Sequence, residues 1–293
     1  MSKQLCIFGE VLFDEFPDGN RVLGGAPFNV AWHLQAFSQT PLFISRVGND
    51  SEGNQICKAM LNWGMNIDAL QTDEKLPTGK VIVELEDGEP SYDIIAPAAY
   101  DAIETPVDFS SACNFLYHGS LALRNELSRQ TLKQLKNDKP ETVFVDVNLR
   151  PPWWDKSAVL ELLQQADWVK LNVDEFNLLY AADKPQENNL TAFINEYSLQ
   201  GVILTSGKSG AEIITANGQQ YTVKPNIEID VVDTVGAGDA FSSVMILGLT
   251  NHWPLQITLQ RAQNFASAIV GQRGATVKEK NFYQQFINEW NIS

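Results

Sequence analysis

Six short apolar runs constrain the fold of this chain more than any other feature: LCIF (5–8), LFIS (42–45), NFLY (114–117), TVFVDV (142–147), DWVKL (167–171) and GVILTS (201–206). They are far shorter than the roughly 20 residues of a membrane span and lack the alternation of a half-exposed strand, so they predict strands buried on both faces. Helical patterns lie between them. In APFNVAWHLQAF (26–37), Val30, Ala31, Leu34 and Phe37 share one face, and Pro27 suits a first turn. Strand followed by helix, repeated, predicts a doubly wound α/β fold: a mostly parallel sheet flanked by helices. The last third is helical, at 236–249, 254–271 and 281–290, and Ala262, Phe265, Ala266, Ile269 and Val270 form a stripe that reads as core.

One segment breaks the rhythm. TGKVIVELEDGEPSYDIIA (78–96) alternates apolar and polar residues around Asp87-Gly88, a hairpin signal. It predicts a small antiparallel flap from about 10–23 and 78–97, placed as a lid over the carboxyl edge of the main sheet. With no internal repeat or linker tract, residues 1–293 read as a single domain.

A net charge of −15 repels nucleic acid and anionic membrane surfaces, so neither is an expected partner. A phosphate-bearing ligand needs a local trap of helix-start amides, a few cations or a divalent metal. Cys6, Cys57 and Cys113 form no C-x-x-C pair, and His33, His118 and His252 show no metal-ligand spacing. All six are expected as buried or half-buried filler, the thiols unpaired, which suits a reducing cytoplasm. The opening MSKQLCIFGEVLFDEF is interrupted by Glu10 and Asp14, so no export or anchoring signal is expected.

VVDTVGAGDAF (231–241) places Gly236 and Gly238 where a strand hands over to a helix, and the turned amides with the positive helix end make an anion cradle. Asp239 lies off the inward stripe of Ala240, Phe241, Val244 and Met245 and faces the cradle. Two readings stand for it. It complements the helix dipole, worth about 0.3–1 kcal/mol, or it serves a metal or takes a proton from a nucleophile aimed at phosphate. In VLGGAPFNVAWHL (22–34), Gly24 and Gly25 precede another helix, and Asn29 in its first turn is either part of an ordinary turn and cap or an amide for a hydroxylated ligand. TSGKS (205–209) is no P-loop, because Val202 stands where that motif requires glycine, and the first strand lacks G-x-G-x-x-G.

GGAPFNVAWHL, RVGNDSEGNQI (46–56), VDVNLRPPWW (145–154), KLNVDEFNLL (170–179), LTSGKSGAEI (204–213) and DTVGAGDAF (233–241) together resemble the ribokinase-like, or PfkB, carbohydrate kinases, in family order and over nearly the whole chain. GGAPFN, DVNLRPPWW and APAAYDAI resemble fructokinases more than ribokinases, and Gly119-Ser120 replaces the glutamate that ribokinases carry there. The resemblance implies a ribokinase-like fold and ATP-dependent phosphorylation of a free sugar, fructose first. Asp239 is then the general base, and amides from Val235 through Gly236 and Ala237 to Gly238 form the anion hole. Asp14, Gly24, Gly25 and Asn29 bind sugar, with Arg150 adding positive charge. Lys170, Asn172, Thr205, Ser206, Gly207, Gly210 and Asn264 serve the nucleotide. Glu175 works with Asn172 to organise Mg²⁺ through water. Asp233 and the loop 271–275 match a K⁺ position of many relatives, although the helix-to-loop spacing is one residue shorter than in ribokinases. The implied partners are the sugar and ATP, and relatives also pair as homodimers through their lids. Other acceptors remain open: ribose, a 2-keto-3-deoxy sugar acid, a nucleoside or a sugar phosphate. So does a sensor that binds without turnover, against which the intact Asp239 and glycine cradle weigh.

Overall fold

The computed structural model describes residues 4–86, 89–106, 113–183, 189–225 and 230–292. From the amino end it runs through β1 (Gln4–Phe8), β2 (Leu12–Glu15), β3 (Arg21–Gly24), α1 (Ala26–Ala36), β4 (Leu42–Gly48), α2 (Ser51–Trp63) and β5 (Leu70–Asp73). Next come β6 (Gly79–Glu86), β7 (Glu89–Ile94), β8 (Cys113–His118), α3 (Glu126–Asn137), β9 (Thr142–Asp146), α4 (Lys156–Leu163) and β10 (Trp168–Asn172). The chain ends with α5 (Val173–Phe176), α6 (Leu190–Tyr197), β11 (Gly201–Thr205), β12 (Ala211–Thr215), β13 (Gln220–Val223), α7 (Ala237–Thr250), α8 (Leu255–Val270) and α9 (Lys280–Trp290).

The main sheet has the order β13-β12-β11-β10-β9-β8-β1-β4-β5. All its ladders from β11 to β5 are parallel, and β12 and β13 add an antiparallel edge. The six apolar runs are its inner strands because successive residues feed different cores. Ile7 and Phe144 join the core under α1, α7, α8 and α9, whereas Phe8 on one strand and Val143 and Val145 on another face the opposite layers. The strands β12 and β13 were not anticipated. Asn217-Gly218 marks their turn, with Gly218 at φ 80°.

β1 is the point where the strand order reverses: β4 and β5 lie on one side, β8 to β11 on the other. Crevices at such switch points receive ligands in open α/β sheets. The second sheet, β3-β2-β6-β7, consists of two antiparallel pairs joined by a parallel β2–β6 ladder. Its hairpin signal, Asp87-Gly88, lies outside the described residues.

α1 is buried beyond its expected stripe, from Ala26 to Leu34 without a break, because α7 and the carboxyl-terminal segment cover its outer side. Trp32 stacks on Trp63 with centroids 4.4 Å apart and donates to the Val277 carbonyl at 3.0 Å. His33 bridges Tyr283 and the Ala275 carbonyl, each at 3.0 Å, and burial lowers its pKa to about 3.

The expectation of unpaired thiols is corrected. Cys6 and Cys113 form a disulfide across the adjacent strands β1 and β8, with Cα atoms 5.8 Å apart, while Cys57 is free. Their 107-residue separation gives no spacing signal, and the link removes the thiol argument for a reducing compartment. No helix among the described residues is long and apolar enough to cross a membrane.

Gly248 permits the close approach of α7 to α8, since a Cβ there would strike the Thr258 side chain. Gly248→Ala is expected to lower stability by about 1–3 kcal/mol through overpacking. The measurement is a urea unfolding curve, with a lower midpoint and an unchanged slope; an unmoved midpoint would show that the helices part freely.

Candidate active site

Two glycine-led helix starts meet above the carboxyl end of β1. Pro27 opens α1 and rests on Gly9, while Gly25 passes so close that a Cβ would come within 2.7 Å of the Glu10 carbonyl oxygen. Gly236 opens α7 at φ 80°, where the Ala275 backbone and side chain leave no room for a Cβ. α1 packs on α7, so Asn29 and Asp239, each in a first turn, meet: Asn29 Nδ2 donates to Asp239 Oδ2 at 2.8 Å. The Asn29 Oδ1 atom is buried without a partner among the described residues.

The expected cradle narrows. Val235 N–H donates to Asp233 Oδ1 at 3.0 Å, and Ala237 N–H makes only a 3.4 Å contact with the Thr234 carbonyl. The first amides of a helix have no acceptor within it, so Gly236 to Gly238 are the stretch open to an anion. Asp233 also accepts from Gly274 N–H at 3.0 Å and thereby staples the cradle loop to the loop at 271–275.

Three carboxylates share the field of Arg150. Burial raises the pKa of Asp239 to about 6; Asp146 adds to the rise, while the Asn29 hydrogen bond, Lys170 and Arg150 oppose it. Asp239 is only partly exposed. Asp14, on β2 opposite Val22, is likewise raised to about 6 by burial, against the pull of Arg150. Glu10, which in the sequence only interrupts the opening apolar run, is 3% exposed, and its buried Oε2 has no partner among the described residues. Burial raises it to about 7, offset in part by backbone amides and Arg150. The Arg150 cation thus opposes all three, and Gly24 lies against Asp14, whose Oδ2 is 3.2 Å from the position of a Cβ.

Tyr92 was also missed. Its row, Val83–Tyr92, lies two residues along from Asp14–Val81–Ile94, so Tyr92 shares the sheet face of Asp14. It is 52% exposed, and its hydroxyl feels Asp14, Asp233 and Arg150. The period-2 pattern of Tyr92 and Ile94 was the available signal.

On the other side of α7 opens a cleft of about 1030 Å³. Thr205, Gly207 and Gly210 line it with Ala237 and Gly238. Ser206 closes the adjoining turn through its amide, which donates to the Gly210 carbonyl at 2.8 Å. Asn264 does not line this cleft. On α8 the lining face carries Gln263, Ala266, Ser267 and Val270, and Asn264 is rotated away, accepting from the Gln260 amide at 2.9 Å. Gln263, Ser267 and Lys208 were missed, although the helical spacing of 263, 266, 267 and 270 marks that face.

Lys170 is not free. Both Asp146 oxygens lie 2.9 Å from its Nζ, which sits 3.5 Å from the position of a Gly238 Cβ. Asn172 and Glu175 form a reciprocal capping box at the start of α5, each bond 2.8 Å, and Glu175 also accepts from Leu149 N–H at 2.8 Å. Glu175 is buried, not a surface glutamate, and burial raises its pKa against these amides and Lys170. Each of its oxygens keeps a second lone pair, which suits a water-held Mg²⁺. No cluster of three acidic, histidine or cysteine side chains among the described residues makes a direct cage.

The family model described as pfkB family carbohydrate kinase matches residues 5–281. The chain is 29% identical to a fructokinase of Escherichia coli over 94% of its own length and 95% of the relative's. Among solved structures, the ATP-bound fructokinase of Xylella fastidiosa superposes with a TM-score of 0.83 at 24% identity, covering 99% of this chain and 100% of that one. A double mutant of the Vibrio cholerae O395 fructokinase, bound to fructose, ADP and potassium ion, gives 0.79 at 25% identity, covering 96% and 97%.

The Glu10 carboxyl generates a stability prediction. From pH 4.5 to about 7 the folded protein keeps a proton that the unfolded chain has released, so its contribution to stability falls as pH rises through that window. Glu10→Gln removes the titration. Its melting temperature is expected above that of the parent at about pH 8, with the gap closing at about pH 4; an equal gap at both values would rule out this charge as the cause.

Proposed function

Because the chain belongs to the pfkB family of carbohydrate kinases, we propose that it transfers the γ-phosphoryl group of ATP to a hydroxyl of free fructose, with Asp239 as general base. The observation that carries this reading is the position of Asp239: its neighbour Gly238 lines the large cleft, while its carboxylate meets Asn29 on the acceptor side. A carboxylate at that junction reaches a hydroxyl aimed at a phosphate held over α7.

Asp14, Asn29 and the backbone at Gly24 and Gly25 orient the sugar, and Arg150 balances the acidic surroundings. Asp239 takes the hydroxyl proton as the new oxygen–phosphorus bond forms and the bond to ADP breaks. Amides from Gly236, Ala237 and Gly238 receive the charge of the transferred group, so catalysis is positioning plus preorganised electrostatics. Thr205, Ser206, Gly207 and Gly210 hold the nucleotide; Asn264 joins them only if the Gln260 contact is exchanged. Glu175 and Asn172 would hold the waters of a Mg²⁺, which would neutralise phosphate charge when bound. A K⁺ beside Asp233 would meet carboxylate oxygens that each accept one amide and keep a second lone pair. The four-stranded sheet acts as the lid, through which two copies pair, and a cytoplasmic setting fits an ATP-consuming reaction.

Fructose is favoured by the curated fructokinase relatives and by the sugar in the Vibrio cholerae structure. Arg150 suits an acidic acceptor instead, but Glu10, Asp14 and Asp239 outnumber it. The test is Mg²⁺-ATP turnover with fructose, ribose, a nucleoside, a 2-keto-3-deoxy sugar acid and fructose 6-phosphate. Fructose is expected to lead, and Asp239→Asn to lower kcat by about 10²–10⁴-fold while sugar and ATP still bind. Preference for another acceptor removes fructose but keeps the kinase; joint binding of ATP and sugar without ADP release establishes a sensor.

The pH profile is a separate check. Asp239 must be ionised to accept the proton, so kcat/KM should fall as pH drops below about 6. A profile flat through that region would show that no such base titrates.

A further inference from the structure

Beneath the cleft, three side chains converge on one buried carboxylate. Asp146, at the end of β9, is 1% exposed, so no substrate touches it. It is paired with Lys170 on β10 through both oxygens, each 2.9 Å from Nζ. Ser242 Oγ of α7 lies 2.6 Å from Asp146 Oδ2, and Tyr117 on β8 donates to the same oxygen at 3.3 Å. The Ser242 hydroxyl has a second acceptor one helical turn earlier, the Gly238 carbonyl at 3.0 Å. Three central strands, β8, β9 and β10, and the first turn of α7 are thereby tied to one joint.

The arrangement is electrostatically odd without a ligand. The Lys170 ammonium sits beside the start of α7, and a helix start is the positive end, which repels a cation. Burying it there is tolerable only with a paired anion. Its benefit arises when an anion occupies the cradle, because the ammonium and the helix amides then face the same charge.

We propose that Asp146 is a positioning residue for phosphoryl transfer, locking Lys170 under the first turn of α7 and, through Ser242, fixing the turn that carries Gly238 and Asp239. The inference rests on the kinase reading above. It adds a residue that acts only through others.

The test uses the full chain and four variants: Asp146→Asn, Ser242→Ala, their double variant and Lys170→Met. Asp146→Asn keeps the shape but replaces the charged acceptor shared by Lys170, Ser242 and Tyr117 with a neutral amide, breaking the link, and is expected to lower kcat at least about tenfold with both KM values within about threefold. Ser242→Ala is expected to lower kcat by a smaller factor, and the double variant to fall no further than Asp146→Asn, because both act through one link. The groups facing Asp239 are Asn29 on α1, Glu10 after β1, Asp146 on β9, Arg150 after β9 and Lys170 on β10. Loss of the Asp146 charge should therefore move the acid limb of kcat/KM to lower pH, and loss of the Lys170 charge should move it higher. A purely structural role lowers the melting temperature without opposed shifts.

Parental kcat in Asp146→Asn, additive losses in the double variant, or shifts of one sign in Asp146→Asn and Lys170→Met would each overturn the proposal. If Asp146→Asn does not fold, Ser242→Ala and Lys170→Met decide: unchanged kcat in Ser242→Ala or an unmoved limb in Lys170→Met rejects it. Failure of the base reading is read separately, as undiminished turnover in Asp239→Asn, and leaves the kcat cycle standing.

Discussion

The hydrogen bond from Asn29 to Asp239 can form only where two helix starts converge, and that convergence organises the rest of the site. Both helices begin at glycines because the neighbouring chain passes too close for a side chain: the Glu10 backbone behind Gly25 and Ala275 behind Gly236. The first turns then point their unpaired amides and polar side chains into the switch-point crevice beside β1. Apolar packing of α1 on α7 supplies the stability, and the polar contact fixes which groups face each other.

This geometry concentrates like charge. Glu10, Asp14 and Asp239 all hold protons more tightly than ordinary carboxylates, with Arg150 as their shared counter-charge. A fold selected only for stability gains little from such an arrangement, and raised carboxylates beside a cleft are a mark of function. The large cores around the sheet allow the site to retain these unfavourable groups.

The main strands were legible because burial on both faces forces unbroken apolar runs, as in β9 and β11. The helix starts were legible because close approach demands glycine in fixed order along the chain. Relations that depend on the third dimension were not. Cys6 and Cys113 become neighbours only when β1 pairs with β8. Asp146 lies inside a motif used to identify the family, yet its partners come from β8, β10 and α7. Asn264 and Gln263 differ by one position, a rotation of about 100° on a helix, and a motif without its helix phase cannot separate them. Lys170 fits a phosphate reader by sequence; only its contacts reveal that the charge is already committed to Asp146.

The small sheet is continuous with the central strand β1, and this continuity has a mechanical consequence. β1 ends at Phe8 and β2 begins at Leu12, so only Gly9, Glu10 and Val11 separate the central strand from the sheet carrying Asp14. Glu10 and Val11 are buried, and Gly9 is pressed against Pro27, which leaves little freedom for the two sheets to move independently at this joint. Asp14 and Tyr92 share one face across β2, β6 and β7, so a displacement of that sheet would carry both together. If the sheet is the lid proposed above, Asp14 reaches the sugar only when Tyr92 moves with it.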